Sequence, residues 1–413
     1  MSNNLLLANL NQPDALEAAY HQSPQKFEAQ LKDALEVTPD SETLKVWHAR
    51  LSYCPAAVVK NFSISLLIAF CFITSILAKL PTFLPIEGDW YYPRYIPILI
   101  ITAVIAYFVS TTKPSRRILK MIVGGVIASA GYLALLPDTH HSASVIMALV
   151  HLPMFSLSLL ALSFMGDDCK NVESRLNFIR YLGEMLIYAM LILLGGMVLT
   201  GVTLGLFSMI GLNIAEWYTQ YVVVFGLVCA PLVATYLFDA IQNRESKFAS
   251  ILSNVFAPLF LITVLVYLIA TLYQGKSPFT NRDFLITFNG LLVVILALTI
   301  FSISGKKRIA EATLSDYINV SLISATLLVN AVALSAILFR LSEYGLTVNR
   351  VVVSGANILI FFHLSLLLKA YIKHIRFNDN LSQLETTIAK YLPLYTLWSF
   401  IVAVIFPLVF WFK

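Results

Sequence analysis

Charge is scarce in this chain. Of 413 residues only 12% are Asp, Glu, Lys or Arg, against roughly 25% in soluble domains, while 58% are hydrophobic and the mean hydropathy is +0.79. A soluble globular domain is excluded. Cysteine is also sparse: Cys71 and Cys229 fall inside apolar runs, and Cys54 and Cys169 fall outside them without metal-ligand spacing. Neither a disulfide framework nor a zinc site is expected. No phosphate loop, zinc-binding helix, GxSxG elbow or CxxC pair is present, which leaves no recognised catalytic motif and no implied cofactor. A cleavable signal is not expected either, because the first 55 or so residues are polar.

What the chain has instead is long apolar segments. Eleven are read at about 61–80, 93–111, 119–136, 143–165, 181–212, 217–241, 251–273, 283–302, 317–340, 351–372 and 391–412. Stretches of about 20 apolar residues span the hydrocarbon core of a bilayer. The expected fold is therefore all-α, a polytopic transmembrane helical bundle of about 11 spans over residues 58–413. The first span would itself direct insertion.

The joining loops alternate in charge. Lys113, Arg116, Arg117 and Lys120 follow the second span; Lys170, Arg175 and Arg180 the fourth; Arg244 and Lys247 the sixth; Lys306, Lys307 and Arg308 the eighth; Lys369, Lys373, Arg376 and Lys390 flank the tenth-to-eleventh loop. The opposite loops are poor in Lys and Arg. The positive-inside bias puts the basic loops and the N-terminus in the cytoplasm and the C-terminus outside. It also accounts for the net charge of +5 without a nucleic-acid partner. Trp90, Tyr91, Tyr92 and Trp217 suit the aromatic belts, so membrane lipids are the first expected partner.

Residues 1–57 read as a small cytoplasmic helical module. Ser23-Pro24 and Thr38-Pro39 each set a capping hydroxyl before a proline. Phe27, Leu31, Ala34 and Leu35 form one apolar stripe, and Leu44, Trp47, His48 and Leu51 another. So short a segment buries little core alone. It is read as a structural cap, with docking to a protein partner as the alternative.

Arg94, Arg282 and Arg350 break the charge rule, since they stand on the exterior side near helix starts, where the helix dipole disfavours a cation. They either reach lipid phosphates and pair with Asp283 and Glu343, or form an anionic site where helices meet. An internal echo favours a site: Arg282 opens the eighth span and Arg350 the tenth, and Asn289 and Asn357 follow Asn281 and Asn349 by the same eight residues. The echo suits either parallel structural repeats over spans seven to eight and nine to ten or a chance match between short segments. Within the bilayer, His151, His363, Asn330 and Asp239 also stand out. The two histidines suit a proton relay, or interhelical glue together with the asparagines; Asp239 suits an ion pair with Arg244. Gly195, Gly196, Gly201, Gly205, Pro231 and Pro258 soften the middle helices or simply pack. The one acidic pair, Asp167-Asp168, suits a solvated loop better than a metal site for phospholipid-type transfer.

At Tyr344-Gly345-Leu346-Thr347-Val348-Asn349-Arg350 the chain resembles a bacterial multi-pass membrane family catalogued as domain of unknown function 4153, which carries a Tyr-Gly-x-Thr-x-x-Arg motif before a late transmembrane helix. The similarity runs from about Asn171 to Lys373 and includes Leu206-Phe207, Ile210-Gly211, Pro231-Leu232 and Arg282-Asp283. The resemblance implies a bacterial inner-membrane protein and brings no activity or catalytic residues. The expected function is transport or binding of a small solute, anionic or lipid-like, at Arg94, Arg282, Arg350, Asn289, Asn357, His151 and His363. A non-catalytic scaffold or envelope-signalling component working through the N-terminal module is the second class, and a membrane-embedded transferase the third. The sequence leaves oligomeric state open.

Overall fold

The computed structural model describes residues 5–22, 24–52, 64–138, 142–241, 248–274, 282–304, 313–377 and 382–412. Among them every regular element is helical. The chain divides into two compact units, Met1–Lys60 and Asn61–Lys413.

The first unit holds α1 (Leu5–Ala8), α2 (Pro13–Gln22), α3 (Pro24–Val37) and α4 (Glu42–Ser52). Their apolar stripes converge on a core of Leu6, Leu16, Phe27, Leu31, Ala34, Leu44 and Trp47. Tyr20, Phe27 and Trp47 pack against one another edge-on or tilted, with the Phe27 and Trp47 rings 4.7 Å apart. Arg50 covers the Trp47 ring at 4.7 Å and forks onto Glu17 at 2.8 and 3.0 Å. That hydrogen bonding raises the guanidinium pKa above its ordinary value.

The second unit contains α5 (Ile64–Ala78), α6 (Leu80–Phe83), α7 (Gly88–Thr112), α8 (Arg116–Leu135), α9 (Ala143–Met165), α10 (Val172–Met209), α11 (Ala215–Tyr218), α12 (Val224–Tyr236), α13 (Phe248–Gln274), α14 (Arg282–Ser304), α15 (Leu314–Tyr344), α16 (Val348–Phe377), α17 (Ser382–Phe400) and α18 (Phe406–Val409). π-helical turns join α11 to α12 and α17 to α18. Eight helical stretches among the described residues are long and apolar enough to cross a membrane. Three shorter apolar stretches accompany them, Ile64–Ala78, Ile251–Val266 and Asn289–Ser304. This is the build of an integral, multi-pass membrane protein.

Two apolar cores organise the second unit. In the first lobe α5, α7, α9, α10 and α12 enclose Phe108, Phe164, Phe178, Tyr181 and Phe238. The Phe164 and Tyr181 rings stack 5.1 Å apart, and Phe108 meets Tyr181 edge-on at 5.0 Å. In the second lobe α13, α14, α15, α16 and α17 enclose Leu292, Ile295, Leu322, Ile323, Leu364 and Leu367, all fully buried. The first half of α10 belongs to both, giving Leu176 and Ile179 to one and Tyr181, Met185 and Ala189 to the other. Beyond Ala189 none of its residues is buried.

Backbone ends are satisfied in place. Glu184, fully buried on α10, accepts the Phe248 N–H at 2.6 Å and caps α13 with negative charge, as a helix N-terminus favours. Asp167 accepts the Ser115 N–H at 3.0 Å at the head of α8. Arg180 donates to the carbonyl of Ser304 at the end of α14, to Glu173 and to Asn177, and lies 4.0 Å from Glu385 of α17. Arg175 donates to the Ala389 carbonyl of α17 at 2.9 Å. Two arginines read as cytoplasmic loop charges are thus clamps between helices.

Candidate functional site

Three carboxamides meet inside the second lobe. Asn357 Nδ2 on α16 donates to Asn289 Oδ1 on α14 at 2.9 Å, and Asn330 Nδ2 on α15 reaches the Asn357 carbonyl at 3.5 Å. Asn330 is fully buried and Asn357 nearly so. Unpaired amides are costly in hydrocarbon, which is why such side chains turn to one another across helices. The pairing depends on an equal depth: Asn289 lies seven residues into α14 and Asn357 nine into α16.

A second polar layer lies toward the other ends of the same helices, where sequence reasoning did not find it. Asn319 Nδ2 donates to Ser302 Oγ at 2.8 Å and to the Tyr371 hydroxyl at 3.2 Å. Ser302 and Ser315 both donate to Asn254 Oδ1, at 3.3 and 3.0 Å. Four helices, α13 to α16, contribute. From Asn289 to Ser302, and from Asn357 to Tyr371, the helical rise is roughly 20 Å. Between the layers stand Leu292, Ile295, Leu322 and Leu364 without exposed surface. Single Ser, Asn and Tyr residues on four separate segments carry no local pattern, so only the tertiary fold assembles this layer.

The other expected site residues are dispersed. His363 is fully buried on α16, but it faces α17: its Nδ1 is 2.9 Å from the Tyr395 hydroxyl, and its ring stacks on Tyr391 at 4.2 Å. His151 is bonded to its own helix, Nδ1 to the Met147 carbonyl at 2.9 Å. No hydrogen bond joins the two histidines among the described residues. Arg94 is 5% exposed and turned inward, donating to the carbonyls of Pro137 at 3.0 Å and Leu136 at 3.4 Å, with Trp90 4.9 Å away and Asp138 at 3.9 Å. Its charge is compensated by Asp138 together with the carbonyls at the negative end of α8. Arg350 Nη1 donates to the Gly345 carbonyl at 2.8 Å, which ties the Tyr-Gly-x-Thr-x-x-Arg turn to its own helix. The side chains of Arg282 and Tyr344, together with Thr280, Asn281, Arg244 and Cys54, lie outside the described residues. Asp239, expected to pair with Arg244, accepts the Tyr107 hydroxyl at 2.7 Å.

No group of three or more His, Cys, Asp or Glu side chains is placed to hold a metal among the described residues. Asp167, engaged at the head of α8, does not form part of one. Compared with known proteins, the chain matches no family model, no curated sequence and no solved structure.

Proposed function

We propose that this chain is a bacterial inner-membrane protein, akin to the family catalogued as domain of unknown function 4153, that binds and moves a small solute through its second lobe. In this reading all eleven apolar helices cross the bilayer, with the N-terminus in the cytoplasm and the C-terminus outside. Two of the three shorter apolar stretches belong to longer backbone helices, α13 of 27 residues and α14 of 23. At 1.5 Å per residue these reach about 40 and 35 Å, enough for the hydrocarbon core.

The observation that carries the reading is the contact between the buried Asn357 and the half-buried Asn289, backed by Asn330. Polar residues held inside a membrane bundle at a shared depth are what a solute site needs. Arg282 and Arg350 stand at the heads of the same two helices, where an anionic or lipid-like solute would first meet them. The apolar plug below keeps the site closed to the other side.

Cysteine accessibility tests this without knowledge of the solute. Asn289→Cys and Asn357→Cys should react with a membrane-impermeant thiol reagent in right-side-out vesicles, Ser302→Cys in inside-out vesicles, and Leu296→Cys in neither. Failure of every position from both sides means a solid bundle and ends the transport reading.

The compact core around Trp47 supports a second reading, in which the N-terminal unit recruits a partner. Deleting residues 1–57 would then abolish function while substitution of Asn289 and Asn357 would not.

A further inference from the structure

Asn319, Thr326 and Asn330 lie 7 and 11 residues apart on α15, so at 100° per residue they fall within about 40° of one another on a single helix face. All three are at most 1% exposed. Two side-chain oxygens on this face are buried without a hydrogen-bond donor among the described residues: Oδ1 of Asn319 and Oδ1 of Asn330.

Their orientation follows from their neighbours. The amide of Asn330 faces a backbone carbonyl, which can only accept, so its nitrogen takes that side and its oxygen is the one left over. Ser302 sends its own hydrogen to Asn254, so its oxygen accepts from Asn319 and fixes that amide the same way. Thr326 sends its hydrogen to the Leu322 carbonyl at 2.6 Å and also leaves oxygen lone pairs outward.

A buried acceptor without a donor costs about 1–3 kcal/mol, and native structures keep few of them. Two on one face of one helix, at the two polar layers that bracket the apolar plug, call for a species that supplies positive charge or N–H groups. Asp316, buried three residues before Asn319, is engaged at the head of α15, where its Oδ2 accepts the Thr313 N–H and hydroxyl. Neutral amide and hydroxyl oxygens suit a weakly charged hard ion. Divalent and transition metals demand the carboxylate or imidazole sets that are missing among the described residues.

We propose that the α15 face binds a small monovalent cation, with Asn330 Oδ1 as its outer station and Asn319 Oδ1 as its inner one. This deepens the transport reading and rests on it: the cation is the coupling species, and its charge offsets that of an anionic solute.

The test is thermal unfolding and direct binding of the full chain in lipid nanodiscs, at fixed pH and ionic strength, with sodium, potassium, ammonium or choline chloride. One of the three small cations should raise the midpoint over choline by about 2 °C or more, and radioactive sodium or rubidium should bind saturably. Which ion acts separates an alkali site from an ammonium site. Asn319→Leu and Asn330→Leu should each raise the half-saturating concentration at least tenfold; Asn330→Asp, which keeps the shape and adds charge, should lower it. Equal midpoints in all four salts with no saturable binding overturn the cation site, as does binding that survives the Asn319→Leu, Asn330→Leu double variant. If the cysteines at Asn289 and Asn357 still react from outside in that case, the transport reading stands without its ion.

Discussion

Asn357 donates its side-chain amide to Asn289 across the α14–α16 interface at 2.9 Å. Removing one partner leaves the other unsatisfied, whereas removing both does not. Asn357→Leu should therefore lower stability by about 1–2 kcal/mol, toward the low end because Asn289 is only half-buried. The Asn289→Leu, Asn357→Leu double variant should recover most of that loss while losing any solute response. Thermal midpoints of the four proteins in one double-mutant cycle check both statements.

Tyr107 on α7 donates to Asp239, in the π-helical turn Leu237–Ile241 that follows α12, inside the first lobe. Tyr107→Phe deletes the donor beneath a carboxylate that is 6% exposed, and about 1.5–3 kcal/mol of stability should go with it. Asp239→Asn keeps an acceptor and should cost less. An order of effects reversed from this, read by thermal unfolding in detergent, would show that Tyr107 acts through ring packing alone.

Gly355 exists for Trp398. A Cβ built at Gly355 would fall inside the van der Waals shell of the Trp398 ring on α17. Gly355→Ala should destabilise by about 1–3 kcal/mol through overpacking. Adding Trp398→Leu should return the midpoint toward wild type, since the neighbour and not the backbone sets the limit.

In the first unit Trp47 is the hub of a core of seven buried side chains. Trp47→Ala should cost about 3–5 kcal/mol, which a unit this small cannot absorb. Limited trypsinolysis should then cut within residues 1–60 while leaving the second unit whole.

Apolar length and loop charge make helix existence legible, but helix ends depend on tertiary contacts. The fifth segment was expected from 181, yet α10 begins at Val172 because Arg175 and Arg180, which look like solvated loop charges, reach carbonyls of α17 and α14. Likewise α17 starts at Ser382, nine residues before the expected 391, with Glu385 buried beside Arg180. The pair Asn289 and Asn357 is visible through its matching eight-residue spacing. The second layer is not, since Asn254, Ser302, Asn319 and Tyr371 each sit alone in an apolar segment. Arg94 shows the same limit: a cation at a disfavoured helix start implies an anion, and Asp138 does lie 3.9 Å away, but the hydrogen bonds go to the Leu136 and Pro137 carbonyls just past α8, which have no residue type of their own.

The long helix α10 has a mechanical consequence. Its first half is shared by both cores, while its second half, with Gly195, Gly196, Gly201 and Gly205, has space where added Cβ atoms would go. The helix is therefore anchored by protein contacts along one half and largely bare of them along the other. Whatever fixes the register of the neighbouring helices on α10 therefore sits in its first half, where Arg180 holds the end of α14 and Glu184 the head of α13.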